Sequence, residues 1–188
     1  MNLGTTALSA VDTNSLQKLS ELPTELALQR ASHLLAHLVK DPALLEAETR
    51  PHLEEARSTE GDWYVAKRYE GEDLSYSLQI FVWPPSAETK IHDHSSWGVY
   101  CCAVGSVLEE RYERHAHLKE LWQLLWSRED GVSSVLPHDG GIHRIGNPSD
   151  SVAISVHLYG PRIEGVDGWD YDLARDYVCA GRKTRRAE

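Results

Sequence analysis

Between Asn14 and Ser58 the apolar residues recur at helical spacing, with Leu26, Leu28, Ala31, Leu34, Leu35, Leu38 and Val39 near one stripe of period 3.6. Pro23 and Pro42 suit first-turn positions, and Asp41 is placed to cap the helix that Pro42 opens. The region therefore divides into two or three short helices that cover one side of a sheet. Past Gly61 the texture changes to short runs rich in Val, Ile, Tyr and Trp, broken by Gly, Pro and Asp. Strands are predicted over Trp63–Tyr69, Tyr76–Trp83, Glu88–His92, Gly98–Val104, Val107–Arg114, Leu118–Trp126, Ser133–Leu136, His143–Ile145 and Val152–Tyr159. The expected architecture is mainly β, a barrel with N-terminal helices packed on it. With no internal repeat and no low-complexity linker, residues 1–188 read as a single domain: a helical layer over 1–60, the barrel over 61–160 and a C-terminal extension over 161–188.

Charge narrows the partners. Nineteen Lys and Arg against 29 Asp and Glu leave a formal charge of −10, which repels phosphate backbones and anionic lipid. Nucleic acid and membrane surfaces are not expected partners. No stretch approaches the roughly 20 apolar residues of a membrane span, and Met1–Asn14 lacks the pattern of a secretory leader, so a cytoplasmic location is expected. Cys101, Cys102 and Cys179 make neither a disulfide framework nor a CxxC pair and read as small buried hydrophobes. Ten histidines and six tryptophans stand against one phenylalanine and one methionine, and histidine placement becomes the question.

Lys90-Ile91-His92-Asp93-His94 puts two imidazoles at i and i+2. In extended chain they share a face, with Asp93 turned away, and can hold one ion at about 2 Å from each nitrogen. A second segment carries Gly131, Pro137, Gly140, His143 and Asn147. In Ser155-Val156-His157-Leu158-Tyr159, alternation sends Ser155, His157 and Tyr159 to one face. A buried polar stripe of that kind must satisfy its own hydrogen bonds, and this one aims a phenol at its neighbour.

The two histidine segments, in this order, resemble the paired motifs of the cupin superfamily, whose fold is a jelly-roll barrel, or double-stranded β-helix. The first cupin motif usually adds a glutamate four or five residues after its second histidine, where this chain has Gly98 and Val99. Three neutral imidazoles would leave a divalent ion its full charge, open to an anionic sulfur ligand and to dioxygen. The resemblance thereby narrows to the thiol dioxygenases of the cysteine dioxygenase family, over about Tyr64 to Tyr159. It implies Fe(II) held by His92, His94 and His143, a small carboxylated thiol and O2 as substrates, a sulfinate product, and Tyr159 beside the iron supported by His157 and Ser155. A monomer or small homo-oligomer is expected. A cupin metalloenzyme of another class, such as an isomerase or a carbon–carbon-cleaving dioxygenase, and a ligand-sensing cupin without turnover are the alternatives.

Two features depart from the family pattern. Animal cysteine dioxygenases crosslink a cysteine to the active-site tyrosine, at the place where this chain has Gly98. The arginine that grips the substrate carboxylate, expected two residues after a first-strand tyrosine, falls on Ala66, and the alternative anchor of mercaptopropionate-oxidising relatives falls in Val166-Asp167-Gly168. Arg68, read as sharing a strand face with Ala66, and Arg144 and Arg162, close in sequence to His143 and Tyr159, are the candidate replacements; Arg162 is favoured. His33, His37, His52, His115, His117 and His138 read as ordinary core or surface residues, and Trp83, Trp97 and Trp169 as packing.

Overall fold

The computed structural model describes residues 13–57, 62–71, 73–161, 167–171 and 175–177. Three helices lead: α1 (Thr13–Gln17), α2 (Thr24–Leu38) and α3 (Pro42–Arg57). They are followed by β1 (Tyr64–Glu70), β2 (Ser77–Trp83), β3 (Gly98–Val104), β4 (Ser106–Arg114), β5 (Leu118–Ser127), β6 (Ser133–Val135), β7 (His143–Gly146), β8 (Ala153–Tyr159), β9 (Gly168–Asp170) and β10 (Arg175–Tyr177). The strands form a five-stranded sheet in the order β1-β2-β8-β3-β6, a three-stranded sheet β5-β4-β7 and the ribbon β10-β9. The chain is mainly β in the jelly-roll manner, although the hydrogen bonds do not close the two larger sheets into a continuous barrel.

Burial explains the layering. β2 and β8 are buried along their whole length, because the five-stranded sheet is covered on both sides. On one side Ala27, Ala31 and Leu35 of α2, spaced at i, i+4 and i+8, join Leu78, Ile80, Val99, Cys101, Val156 and Leu158 in the larger core. Small residues at 27 and 31 let the helix lie close to the sheet. Leu26 is displaced from the expected stripe and is exposed. The opposite side carries Phe81, Trp83, Tyr100, Cys102, Val135, Ile145 and Tyr159, so the adjacent cysteines Cys101 and Cys102 point into different cores. Cys179 lies outside the described residues.

Two sequence expectations change. Glu88–His92 forms only isolated bridges, Glu88 to Gly146 and His92 to His143 and Asp170, rather than a strand. Two of the helices are long, at 15 and 16 residues, and Pro23 stands just before α2 while Pro42 is the first residue of α3. Within the C-terminal extension, the described residues Trp169 and Tyr171 bond Asp93 beside the histidines. Among the described residues no helix is long and apolar enough to cross a membrane.

Candidate metal centre

The two histidine segments are tied together through their backbones: the His92 N–H donates to the His143 carbonyl at 2.9 Å, and the His143 N–H returns the bond to His92 at 2.8 Å. This bridge brings His143 to one side of the chain with two histidines that precede it by about 50 positions in sequence. Glycine makes the approach possible. A Cβ on Gly141 would sit 2.2 Å from the Leu136 carbonyl oxygen, so the turn into His143 admits no side chain there. Asn147 closes the same segment by donating from Nδ2 to the carbonyls of Trp83 (2.9 Å) and Ser151 (2.7 Å).

His92, His94 and His143 are all buried, and their ligating atoms lie within 4.8 Å of one another. Ring centroids are 4.8 Å apart for His92–His94, 4.7 Å for His92–His143 and 5.1 Å for His94–His143. Among the described residues no carboxylate or thiol joins this group. Asp93 turns away as alternation requires, accepting from the Trp169 backbone N–H at 2.8 Å and the Tyr171 hydroxyl at 2.9 Å. Gly168 allows that crossing, because a Cβ there would lie 1.9 Å from the Asp93 carbonyl oxygen.

The outer nitrogens settle which atoms face inward. His92 Nδ1 lies 2.8 Å from the Lys90 carbonyl and must donate to it, which leaves Nε2 unprotonated. His143 Nδ1 lies 3.3 Å from Glu109 Oε1, and the same logic leaves its Nε2 as a lone pair 2.9 Å from His94 Nε2. Burial, and then the other imidazoles, push His94 and His143 well below the ordinary histidine range. With His143 Nε2 accepting, His94 Nε2 donates the hydrogen bond between them, and a cation would take the place of that proton; three converging imidazoles with no acid among them are the donor chemistry of a divalent transition-metal site.

Glu109, on β4, is a part of the site that the sequence reading missed. Its fully buried carboxylate accepts from Trp126 Nε1 (2.9 Å) and Ser133 Oγ (2.8 Å), is hydrogen-bonded to the Tyr100 hydroxyl and ion-paired with Arg111, and faces His143 Nδ1. The signal available was weak: an acidic residue at an inward-facing strand position, next to another acid, Glu110.

A second polar chain runs along β8, the middle strand of its sheet. Trp83 Nε1 donates to Ser155 Oγ at 2.8 Å, Ser155 Oγ lies 2.7 Å from His157 Nε2, and His157 Nδ1 lies 2.9 Å from the Tyr159 hydroxyl. Trp83 therefore extends the expected stripe instead of only packing beside it. Tyr159 reaches the centre, its ring 5.0 Å from His94. Gly98 pairs opposite it, and a Cβ at Gly98 would come within 2.8 Å of the tyrosine ring, so the absent side chain makes room for the phenol.

Burial lowers His157 from 6.5 to about 3. Between those two pH values the unfolded chain binds a proton at this residue that the folded chain refuses, so stability rises with pH across the window. The contribution is complete above pH 6.5 and is lost as the pH falls towards 3, a total of about 5 kcal/mol at about 1.4 kcal/mol per pH unit. Urea unfolding of the metal-free protein is expected to show a steep fall in midpoint below pH 6.5, shallower in His157→Asn. An equal slope in the variant would show that this imidazole is not held neutral by the fold.

The candidate arginines separate. The register shift between Val65 and Lys67 breaks the alternation of β1: Ala66 joins the helix-side core, whereas Arg68 pairs with Gln79 on the opposite face. Arg68 and Ala66 thus do not share a face, as simple alternation had suggested. Arg68 Nη2 donates to Gln79 Oε1 at 3.3 Å, and Gln79 lines the cavity over the three histidines together with Phe81, Thr89, Ser96, Ile145 and Asp167. Arg144 is taken away from the cavity, since it alternates with His143 and Ile145 on β7 and is ion-paired with Glu110 and Glu88. Arg162 lies outside the described residues. None of the described residues lining the cavity is a lysine or arginine; Arg68 touches one lining residue, Gln79, and is also ion-paired with Glu70 at 3.9 Å.

A jelly roll that closes three imidazoles around one point, with a tyrosine at its side, has the form of a cupin built for a single metal ion. The chain belongs to the cysteine dioxygenase type I family, whose model matches residues 61–172. Among solved structures it is similar to the protein TT1209 of Thermus thermophilus, at 20% identity over 53% of this chain and 86% of that one, with a TM-score of 0.39. It is also similar to a cupin superfamily protein of Desulfitobacterium hafniense, at 13% identity over 55% and 81% of the two chains and a TM-score of 0.42. A cupin 2 conserved barrel domain protein of Salinispora arenicola matches at 14% identity over 52% and 73%, with a TM-score of 0.38.

Proposed function

We propose that this protein is a mononuclear non-haem iron thiol dioxygenase that converts a small carboxylated thiol and O2 into a sulfinate, with His92, His94 and His143 as the metal ligands. The observation that carries the reading is the set of three buried imidazoles with no carboxylate among them, two of them, His94 and His143, pushed well below the ordinary histidine range, within a family of dioxygenases. Fe(II), when bound, supplies the Lewis acidity that turns a coordinated thiol into a thiolate and the redox capacity that brings O2 to sulfur.

The chain's own residues bind, orient and exclude water. Trp83 can only donate, so Ser155 accepts from it and passes its own proton toward His157 Nε2. The neutral His157 then carries its proton on Nδ1 and donates it to the Tyr159 oxygen, which orients the phenol O–H as a donor toward the cavity. A donor held there without reorganisation positions and stabilises charge that develops on the oxygen atoms of the reacting pair. Phe81 and Ile145 exclude water from the same space. Arg68 exchanges its contact with Gln79 for the substrate carboxylate, a pairing suited to its planar fork.

Oxygen consumption by the iron-loaded protein tests this against cysteine, 3-mercaptopropionate and cysteamine. Uptake is expected only with thiol present. Arg68→Ala is expected to raise KM roughly 30-fold for the carboxylated thiols, the size of a lost charge-assisted hydrogen bond of about 2 kcal/mol, and to leave cysteamine unaffected. Oxygen uptake that needs no thiol would overturn the reading, and an equal loss for all three thiols would remove Arg68 from carboxylate binding.

A further inference from the structure

Strand β2 divides cleanly between its two faces. Leu78, Ile80 and Val82 enter the helix-side core, and alternation turns Ser77, Gln79, Phe81 and Trp83 the other way. Gln79, Phe81 and Trp83 line the cavity over the three histidines, so one amide stands in a stretch of wall otherwise built from aromatic rings. Gln79 is 2% exposed and lies in register between Arg68 on β1 and His157 on β8. A buried amide offers two N–H donors and an oxygen acceptor, and each group left without a partner costs free energy.

Its neighbours fix which end of the amide is which. Arg68 Nη2 can only donate, so the atom 3.3 Å from it is the amide oxygen. On the other side the Ser77 hydroxyl donates to the Glu70 carboxylate at 3.3 Å, and therefore accepts from Gln79 Nε2 at 2.9 Å. The two assignments agree. They occupy the oxygen and one N–H of Nε2, and the second N–H has no acceptor among the described residues. The unfilled position on this cavity-lining side chain is thus a donor.

We infer that Gln79 is a specificity-determining residue, donating its second Nε2–H to a carboxylate oxygen of the thiol substrate. The inference rests on the reaction proposed above and adds a recognition group that already stands in the cavity wall, whereas Arg68 must first leave Gln79. An amide N–H on a carboxylate is a charge-assisted bond. It needs little reordering, because Ser77 holds the nitrogen whether or not Arg68 stays on the oxygen. An ammonium group gains nothing there, since it brings only donors to a donor.

The test is anaerobic calorimetric titration of the zinc-loaded full chain, whose metal is redox-inert, with 3-mercaptopropionate and with cysteamine, which carry a carboxylate and an ammonium respectively. Gln79→Glu keeps the side-chain shape but replaces the free donor by an acid, and is expected to weaken 3-mercaptopropionate by about 100-fold or more while leaving cysteamine as tight or tighter. Gln79→Met removes the donor without adding charge, and is expected to weaken 3-mercaptopropionate roughly 30-fold and cysteamine by less than about twofold. Added to Arg68→Ala, Gln79→Met is expected to lower 3-mercaptopropionate affinity further by a similar factor. Circular dichroism identifies any variant that has not folded, and Gln79→Met carries the test if the buried acid prevents folding. Equal losses for both thiols, unchanged 3-mercaptopropionate affinity in Gln79→Met, no further loss in the double variant, or a wild-type chain that binds neither thiol would each overturn the proposal. Carboxylate-selective loss in the zinc form, with no oxygen uptake by the iron form, would uphold Gln79 and overturn the proposed reaction instead.

Discussion

Replacing His94 with alanine is expected to abolish retention of iron and thiol-dependent oxygen consumption together. Its imidazole Nε2 faces that of His143 at 2.9 Å, and removing the ring leaves two nitrogen donors and a buried space. Two remaining imidazoles would hold a divalent ion far more weakly than three, and the rate should fall by about three orders of magnitude or more, towards the uncatalysed background. Metal analysis after dialysis, with oxygen uptake on the same sample, checks both halves. The fold is expected to survive, because His94 lies beside the cavity and makes no backbone contribution through its ring. A variant that kept iron and turned over would remove His94 from the metal shell.

Glu109→Gln is expected to destabilise the metal-free protein and to weaken metal binding at the same time. The carboxylate is fully buried, and the groups around it, from Tyr100, Arg111, Trp126, Ser133 and His143, are arranged as donors. An amide brings its own N–H groups into that circle and leaves the Arg111 cation without its buried partner, at a cost of about 3 to 5 kcal/mol. For a chain of this length that corresponds to a fall in Tm of about 10 °C. Without a carboxylate on Nδ1, His143 loses both its orientation and part of its basicity, and metal affinity is expected to drop about 10- to 100-fold. Thermal unfolding of the metal-free variant and a metal titration separate the two effects. A fall in Tm with unchanged affinity would make Glu109 a purely structural residue.

Local rules made much of the site readable. Spacing of two put His92 and His94 on one side with Asp93 on the other, and a second histidine segment closed on them through a glycine turn. Alternation also placed Ser155, His157 and Tyr159 in one hydrogen-bonded line on β8. Each of these depends on geometry within a few residues. What alternation could not foresee was its own interruption: the bulge at Ala66 puts Arg68 on the face of Gln79, and nothing in Tyr64-Val-Ala-Lys-Arg68 marks the residue at which the register slips. The contribution of residues 167–171 was equally illegible, because their contacts with Asp93 join segments more than 70 positions apart.

The residue types, their spacing and the two periodicities determine the class of fold, the three converging imidazoles and the phenol at the end of a self-satisfied polar stripe. Such features follow from rotations of the chain that repeat every two or 3.6 residues. Only the tertiary structure decides that Glu109 and Trp83 support those groups, that Arg68 rather than Arg144 bonds a residue of the cavity wall, and that β5 stands unpartnered at its outer edge among the described residues. These depend on which strands become neighbours and in which register, a choice made by burial across the whole domain and carried by no local pattern.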